Sequence, residues 1–126
     1  DVIVHCANTA RRFYVNNNRK LDLKTSIGTT KDILRRHPKS KKILISTISC
    51  RTEKETSYGF NRLTAENLWL KEGGMIIRLG PMYGGSRTKD TLNDIINNRH
   101  VFVSRKTKYS YILREILVQR SRRREV

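Results

Sequence analysis

Three short apolar runs recur along the chain, separated by stretches with helical periodicity. The runs are residues 2–6, 43–47 and 75–79. Unbroken apolar runs of this length are typical of strands buried on both faces. Helices are predicted between them from about Asp22 to Pro38 and from Tyr58 to Lys71, because proline ends the first pattern and Gly73 follows the second. The pattern therefore predicts an α/β fold, in which helical crossovers join the strands of a small parallel sheet.

The stretch before the second run is predicted to contain a loop and then a helix. Residues 9–21 are polar and basic, which indicates a loop. Asp22 is a suitable N-cap for the helix. The positions expected on its inner face are Leu23, Ile27, Thr30, Ile33 and Leu34. Gly28 lies inside this helix, where it costs about 1 kcal/mol relative to Ala unless close packing against the sheet requires it.

The last third of the chain has a shorter set of predicted elements. A helix is expected at residues 88–97, with Leu92, Ile95 and Ile96 facing inward. Short strands are expected at 100–103, as a further strand of the sheet, and at 108–112. Residues 119–126 carry four arginines and are predicted to form a basic tail.

The charge of the chain is strongly positive. Its 126 residues include 27 Lys and Arg against 11 Asp and Glu, which gives a formal net charge of +16. This length is enough for one modest domain. Such a charge favours contact with phosphates, nucleic acid or anionic surfaces. The alternative is that the charged residues lie on solvated helix faces and in the tail and have no binding role.

The two cysteines predict free thiols. Cys6 and Cys50 form no C-x-x-C pair and have no histidine at metal-ligand spacing. Free thiols are typical of a reducing compartment, so the expected location is the cytoplasm and no metal site is expected. No apolar run approaches the length of a membrane span, and no signal peptide opens the sequence. His5 is expected to be a packed strand residue, since no second ligand lies near it.

Polar side chains follow the predicted strands at the positions where parallel sheets bind ligands. Ser46, Thr47 and Ser49 lie at the carboxyl end of the second strand. Tyr58 and Arg62 are one helical turn apart on the next helix and therefore share a face. A cation beside a tyrosine helps it to exchange a proton with a substrate hydroxyl near neutral pH. The alternative is that Tyr58 packs at the start of an amphipathic helix and that Arg62 is solvated.

Taken together, these residues resemble the core of the NAD(P)-dependent epimerase/dehydratase family, the extended short-chain dehydrogenases/reductases. That family has a Ser or Thr after one strand, Tyr-x-x-x-Lys on the following helix, and R-P-x-x-x-Y-G after the next strand. The counterparts here are Thr47 (or Ser46 or Ser49), Tyr58 with Gly59, Ala65 and Glu66, and Arg78, Pro81, Tyr83 and Gly84. Asp1 to Asn8 resembles the family's D-x-V-I-H-x-A-A strand. Arg62 stands where the family has lysine.

The resemblance implies a partial Rossmann-like domain, NAD or NADP as the cofactor and a nucleotide sugar as the substrate. It implies catalytic roles for Tyr58 as general acid/base, for Arg62 as its cation, and for Thr47 or Ser49 as the hydroxyl beside it. The cofactor contacts that it implies are Ala7, Asn8, Ser46, Arg62, Pro81, Met82 and Tyr83. The substrate contacts are Gly84, Gly85 and Arg87.

One feature of the family is missing from the sequence. The Gly-rich turn that holds the cofactor pyrophosphate does not occur here. The resemblance therefore implies a truncated member: the later part of the nucleotide domain at 1–85, the start of the substrate domain at 86–118, and the tail at 119–126. The competing hypotheses are a non-enzymatic basic α/β module that binds nucleic acid or another polyanion, and an inactive remnant.

Overall fold

The chain forms two compact units, Asp1–Leu79 and Gly80–Val126. The computed structural model describes residues 1–9, 12–84, 91–101, 103–104, 106, 108 and 112–113. The first unit contains β1 (Val2–His5), α1 (Arg12–Asn17), α2 (Arg19–Asp22), a π-helical segment (Leu23–Gly28), α3 (Thr29–Arg36), β2 (Lys41–Thr47), α4 (Ser49–Thr52), α5 (Ser57–Lys71) and β3 (Met75–Leu79). Within the described ranges, no helix is long and apolar enough to cross a bilayer.

The first unit is built on a three-stranded parallel sheet with the order β1-β2-β3. Val4 pairs with Ile43 across the first strand pair, and Ile43 pairs with Met75 across the second. The two connections between these strands are called the first connection (residues 6–40) and the second connection (residues 48–74). The sheet confirms the predicted α/β class and the predicted parallel neighbours.

Helices α3 and α5 cover one face of the sheet. The core on this face consists of Leu34, Leu44, Ala65 and Trp69, with Ile3, Ile33, Leu68 and Ile76 packed against it. On the other face Val2, Val4 and Met75 are each more than half exposed. Burial therefore alternates along β1 and β2, and the prediction that both faces are buried is wrong for the described residues. The apolar run was misleading because β-branched residues favour a strand whether one face or both are covered.

The first connection differs most from its prediction. Helix α1 (Arg12–Asn17) lies inside the predicted loop. A nearly continuous helical run then extends from Arg19 to Arg36, so Asp22 is a buried residue inside it and not an N-cap. Leu23, predicted to face inward, is more than half exposed. The buried positions are Asp22, Ser26, Thr30 and Leu34.

The π-helical segment explains how these four positions share a face. An α-helix has 3.6 residues per turn, so side chains four residues apart point in progressively different directions around its axis. The segment Leu23–Gly28 is wound more widely, with bonds from residue i to i+5. The wider turn offsets this change of direction, so the buried stripe stays directed toward α5.

The second connection agrees closely with its prediction. Helix α5 runs over Ser57–Lys71 and begins at Thr56, whose side chain accepts a hydrogen bond from the Gly59 amide at 3.1 Å. It ends before Gly73, whose φ of 70° is in the left-handed region that glycine tolerates. The structure adds the short helix α4 (Ser49–Thr52), which packs against α5.

The second unit contains few described elements. Strands β4 (Met82–Tyr83) and β5 (Ile112–Leu113) pair in parallel, and α6 spans Thr91–Ile96. Ile95 and Ile96 are more than half exposed, so the prediction that they face inward is wrong, while Leu92 is half-buried. Residues 100, 101 and 103 are described and are not in a strand, contrary to the strand predicted at 100–103.

Candidate functional site

Helix α5 carries its polar candidates on the face that it buries. Tyr58, Arg62 and Glu66 follow one another at intervals of four residues, and all three are less than 9% exposed. Trp69, which is fully buried, continues the same face. Charged side chains are almost never buried without partners. The contacts of Arg62 and Glu66 therefore define what this face of the helix does.

Arg62 lies over the ring of Tyr58. Its guanidinium carbon is 4.7 Å from the ring centroid, within the range of a cation–π contact. The Tyr58 amide donates to Asn16 Oδ1 at 3.1 Å, which fixes the start of α5 against α1. The expectation that Tyr58 and Arg62 share a side of the helix is confirmed.

The guanidinium of Arg62 is held by the first connection. Arg62 Nη2 donates to the Thr9 carbonyl oxygen at 2.7 Å and lies 3.5 Å from Asp22 Oδ1, and Arg62 Nη1 donates to Ser26 Oγ. Asp22 Oδ1 also accepts from Ser26 Oγ at 2.7 Å, and Asp22 Oδ2 accepts from Asn61 Nδ2 at 2.7 Å. We call Asp22, Ser26, Asn61 and Arg62 the Arg62 cluster. The charges of Arg62 and Asp22 balance each other, and both side chains are almost fully buried.

His5 extends this buried polar network to the sheet. Its ring stacks on Trp69 with centroids 5.5 Å apart, and His5 Nε2 lies 3.3 Å from Thr30 Oγ1. Thr30 Oγ1 donates its proton to the Ser26 carbonyl oxygen, so it accepts from His5 and the Nε2 nitrogen carries the hydrogen. Burial, aided by the nearby Arg62 charge, lowers the pKa of His5 below its ordinary 6.5. His5 is therefore a neutral packed residue, as its position in the strand predicts.

A small cavity lies between the cluster and the carboxyl ends of β1 and β2. Its volume is about 10 Å³, and its polar lining comes from His5, Asn8, Ser26, Thr30, Ser46 and Arg62. Two buried lining atoms, Ser46 Oγ and Arg62 Nε, have no hydrogen-bond partner among the described residues. Buried polar atoms usually find partners, and a volume of this size holds one water or one hydroxyl group. The cavity therefore has the size and the hydrogen-bonding atoms to bind a single polar group.

The three candidate hydroxyls after β2 have different positions. Ser46 is buried on the face that α5 covers, and it lines the cavity. Thr47 is the next residue of the strand, so its side chain points to the other face. Its Oγ1 accepts from the Ser49 amide at 3.3 Å and so stabilises the turn into α4. Of these three hydroxyls the structure brings Ser46 beside Arg62, whereas the sequence favoured Thr47.

Glu66 forms a second buried ionic contact, separate from the Arg62 cluster. Its carboxylate accepts from Arg78 Nε at 2.9 Å and from Arg78 Nη2 at 2.6 Å, and it accepts from Cys50 Sγ at 3.1 Å. Burial alone would raise the pKa of Glu66, but the Arg78 hydrogen bonds, with smaller contributions from the nearby Ser46 and Cys50 side chains, outweigh it and lower that pKa below 4.5. Burial, and then the Glu66 carboxylate, raises the pKa of the Cys50 thiol. This contact joins α4, α5 and β3.

The remaining predicted residues fall in three groups. Ala7 is exposed after β1, and Asn8 is half-buried and lines the cavity. The second unit contains Pro81, Met82, Tyr83 and Gly84. Gly85 and Arg87 lie outside the described residues.

The sequence interpretation missed the anionic half of the cluster. The sequence pattern indicates a helix cap at Asp22 and no role for Asn61. A signal was present, because Asp22, Ser26 and Thr30 are polar residues at intervals of four and could share one face with Leu34. A polar stripe is normally solvated, so this signal becomes specific only when a buried cation such as Arg62 is known to face it.

Comparisons with known proteins do not identify the chain. A search of protein families and a search of curated proteins find no match. Among the described residues, no group of His, Cys, Asp and Glu side chains is arranged to hold a metal ion.

Proposed function

We propose that this chain is an NAD(P)-dependent epimerase/dehydratase-like protein that acts on a nucleotide sugar, with Tyr58 as the general acid/base. The observation that carries the proposal is the position of the Arg62 guanidinium, 4.7 Å from the centroid of the Tyr58 ring and on the wall of the cavity at the strand ends. Arg62 and Ser46 line this cavity at the strand ends, where parallel sheets commonly bind ligands, and the Tyr58 ring lies against Arg62.

The cavity is compatible with one hydroxyl group of a nucleotide ribose. Arg62 Nε and the Ser46 hydroxyl are donors that have no partner within hydrogen-bond distance among the described residues, and the Asn8 side chain offers an amide beside them. The volume of about 10 Å³ holds a hydroxyl group but not a whole nucleotide. The rest of the cofactor would lie outside the cavity, along the ends of β1 and β2. The nicotinamide would supply the hydride acceptor when it is bound.

The residues of the chain would hold and move the proton. Tyr58 would take the proton of the substrate hydroxyl and return it in the reverse step. Ser46 would donate a hydrogen bond to the ribose hydroxyl group in the cavity and fix its position. Arg62 would act as a permanent cation, but it differs from a free lysine because Asp22 balances part of its charge. This balance favours a slow enzyme, or one that needs Asp22 to move when the cofactor binds.

Binding can be tested separately from chemistry. We would titrate the isotope-labelled protein with NAD, NADP and a nucleotide sugar and follow the amide resonances. The largest shifts are expected at Asn8, Ser46 and Arg62, including the Arg62 Nε–H. Absence of these shifts at millimolar cofactor would contradict the proposal.

Turnover is tested by a matched pair of tyrosine variants. Tyr58→Phe should lower the conversion of nucleotide sugars by about 100-fold or more, because it removes only the proton-transfer group. Tyr14→Phe is the control, since Tyr14 is exposed on α1. Equal activity of the two variants would remove Tyr58 from the mechanism.

A further inference from the structure

The helical run of the first connection has a dense basic surface. Eight Lys and Arg residues between positions 19 and 41 are exposed: Arg19, Lys20, Lys24, Lys31, Arg35, Arg36, Lys39 and Lys41. The same stretch has two acidic residues. Asp22 is buried against Arg62, and Asp32 pairs with Arg35 and Arg36 at 2.9 and 2.8 Å. Most of the positive charge of this surface therefore has no compensating acid nearby in the sequence.

The rest of the first unit is different. Residues 43–79 contain five Lys and Arg against four Glu. Arg78 there is paired with Glu66, and Arg62 is buried. Within the first unit the positive charge is thus concentrated on residues 19–41, whereas general solubility would be served equally well by an even distribution.

Four of these cations form two pairs that follow one another along the helical run. Lys24 follows Lys20 by four residues and Arg35 follows Lys31 by four, so the members of each pair lie one turn apart on a shared side. From Lys20 to Arg35 the helical run extends about 20 Å, at up to 1.5 Å per residue. This length is comparable to several phosphate spacings of a nucleic-acid strand, which are about 3.4 Å each along the helix axis. We call Lys20, Lys24, Lys31 and Arg35 the basic row.

We propose that the basic row binds the phosphate backbone of nucleic acid. The contacts are charge–charge contacts from flexible side chains, so they release counterions and are not selective for sequence. A membrane-binding helix would need a continuous apolar side beside its cations. Here the exposed apolar residues of the run are Leu21 and Leu23, while Leu34 is buried in the core. The inference does not depend on the proposed enzyme activity.

A pair of variants with equal charge tests the location of the site. The row variant combines Lys20→Gln, Lys24→Gln, Lys31→Gln and Arg35→Gln. The control variant combines Arg51→Gln, Lys54→Gln, Lys71→Gln and Lys106→Gln, which are also three lysines and one arginine at exposed positions. Both variants have the same net charge and keep the residues of the basic tail.

Binding is measured by fluorescence anisotropy of a mixed-sequence DNA duplex over a range of salt concentrations. The row variant should reduce the slope of log affinity against log salt by about 3.6, because each phosphate contact contributes about 0.9. The control variant should change the slope by less than about 1. Equal losses in both variants would show that binding follows total charge and would overturn the proposal, as would unchanged binding by the row variant.

Two further measurements complete the test. When the wild-type chain is titrated with the duplex, its amide resonances should shift mainly at positions 20, 24, 31 and 35. This measurement uses no variant, so it does not depend on how the variants fold. Vesicles with phosphatidylserine should bind more weakly than DNA of equal charge concentration. If the vesicles bind as tightly as DNA or more tightly, the preferred ligand of the basic row is an anionic membrane and not nucleic acid. That result would overturn the proposal.

Discussion

The two connections lie beside the same sheet but are stabilised in different ways. The second connection packs Ala65 and Trp69 into the apolar core, and its helix is capped at both ends. The first connection contributes Leu34 to that core but buries Asp22, Ser26 and Thr30 as well. In the second connection the local signals that set the ends of α5 agree with the final structure. In the first connection the polar stripe is stable only because partners from α5 satisfy it.

The ionic contacts of the two connections also differ in exposure. Arg62 and Asp22 are 3% and 1% exposed, so neither charge can turn to water if the other is lost. Arg78, the partner of Glu66, has a side chain that is 31% exposed, so water can replace part of its contact. The two contacts should therefore respond differently when the carboxylate is removed.

The largest expected effect is that of removing the buried acid of the first connection. Asp22→Ala leaves the Arg62 charge buried without a partner and should destabilise the protein by about 3–5 kcal/mol. Denaturant unfolding measures this loss. Asp32→Ala is the control, since that ion pair is exposed on the same helical run, and it should change the stability much less than Asp22→Ala.

Removing both charges at once sharpens the same comparison. The double variant Asp22→Leu with Arg62→Met leaves no buried charge in the Arg62 cluster and should recover most of the stability. A double variant as unstable as Asp22→Ala would mean that the cluster contributes through its shape and hydrogen bonds rather than through its charge balance.

The extent to which the sequence predicts the structure follows the same division. The boundaries of α5 depend on Thr56 and Gly73, which are local signals, and the three strands depend on apolar runs. The fold class and the pairing of Tyr58 with Arg62 are therefore predictable. The role of Asp22 is not, because its partner lies 40 residues away in the sequence. The choice of Ser46 over Thr47 depends on which face of β2 is covered, and the apolar run does not contain that information.

The next effect tests close packing in the second connection. A Cβ atom at Gly59 would lie 2.1 Å from the Glu53 carbonyl oxygen, which belongs to backbone and cannot turn aside. Gly59→Ala should therefore destabilise the protein by about 1–3 kcal/mol, although alanine is the better helix former. Thermal unfolding measures the change, and Phe60→Ala at the neighbouring exposed position should cost clearly less. A neutral Gly59→Ala would show that the residues around Glu53 can move away from α5.

A smaller effect concerns His5, which contacts Thr30 of the first connection and Trp69 of the second. Its pKa in the folded protein is below 6.5, so between the two values the unfolded chain binds more protons. Its full contribution to stability is present above pH 6.5 and falls as the pH drops below that value, by at most about 1.4 kcal/mol per pH unit. His5→Phe keeps a ring against Trp69 and should remove this part of the pH dependence in denaturant unfolding. The same slope in both proteins would assign the acid sensitivity to other groups.

The smallest expected effect has the opposite sign and returns to the first connection. Gly28 has a φ of −61° and a ψ of −49°, which any residue adopts in a helix, and a Cβ atom there would meet nothing within 4 Å. The sequence left open whether this glycine allows close packing, and the structure shows that it does not. Gly28→Ala should therefore stabilise the protein by about 0.5–1 kcal/mol, chiefly because alanine restricts the unfolded chain. The measurement is the midpoint of thermal unfolding, compared directly with that of Gly59→Ala. A loss of stability would mean that the wide turn at Leu23–Gly28 needs the freedom of glycine, and the polar stripe that this turn directs toward α5 would then depend on it.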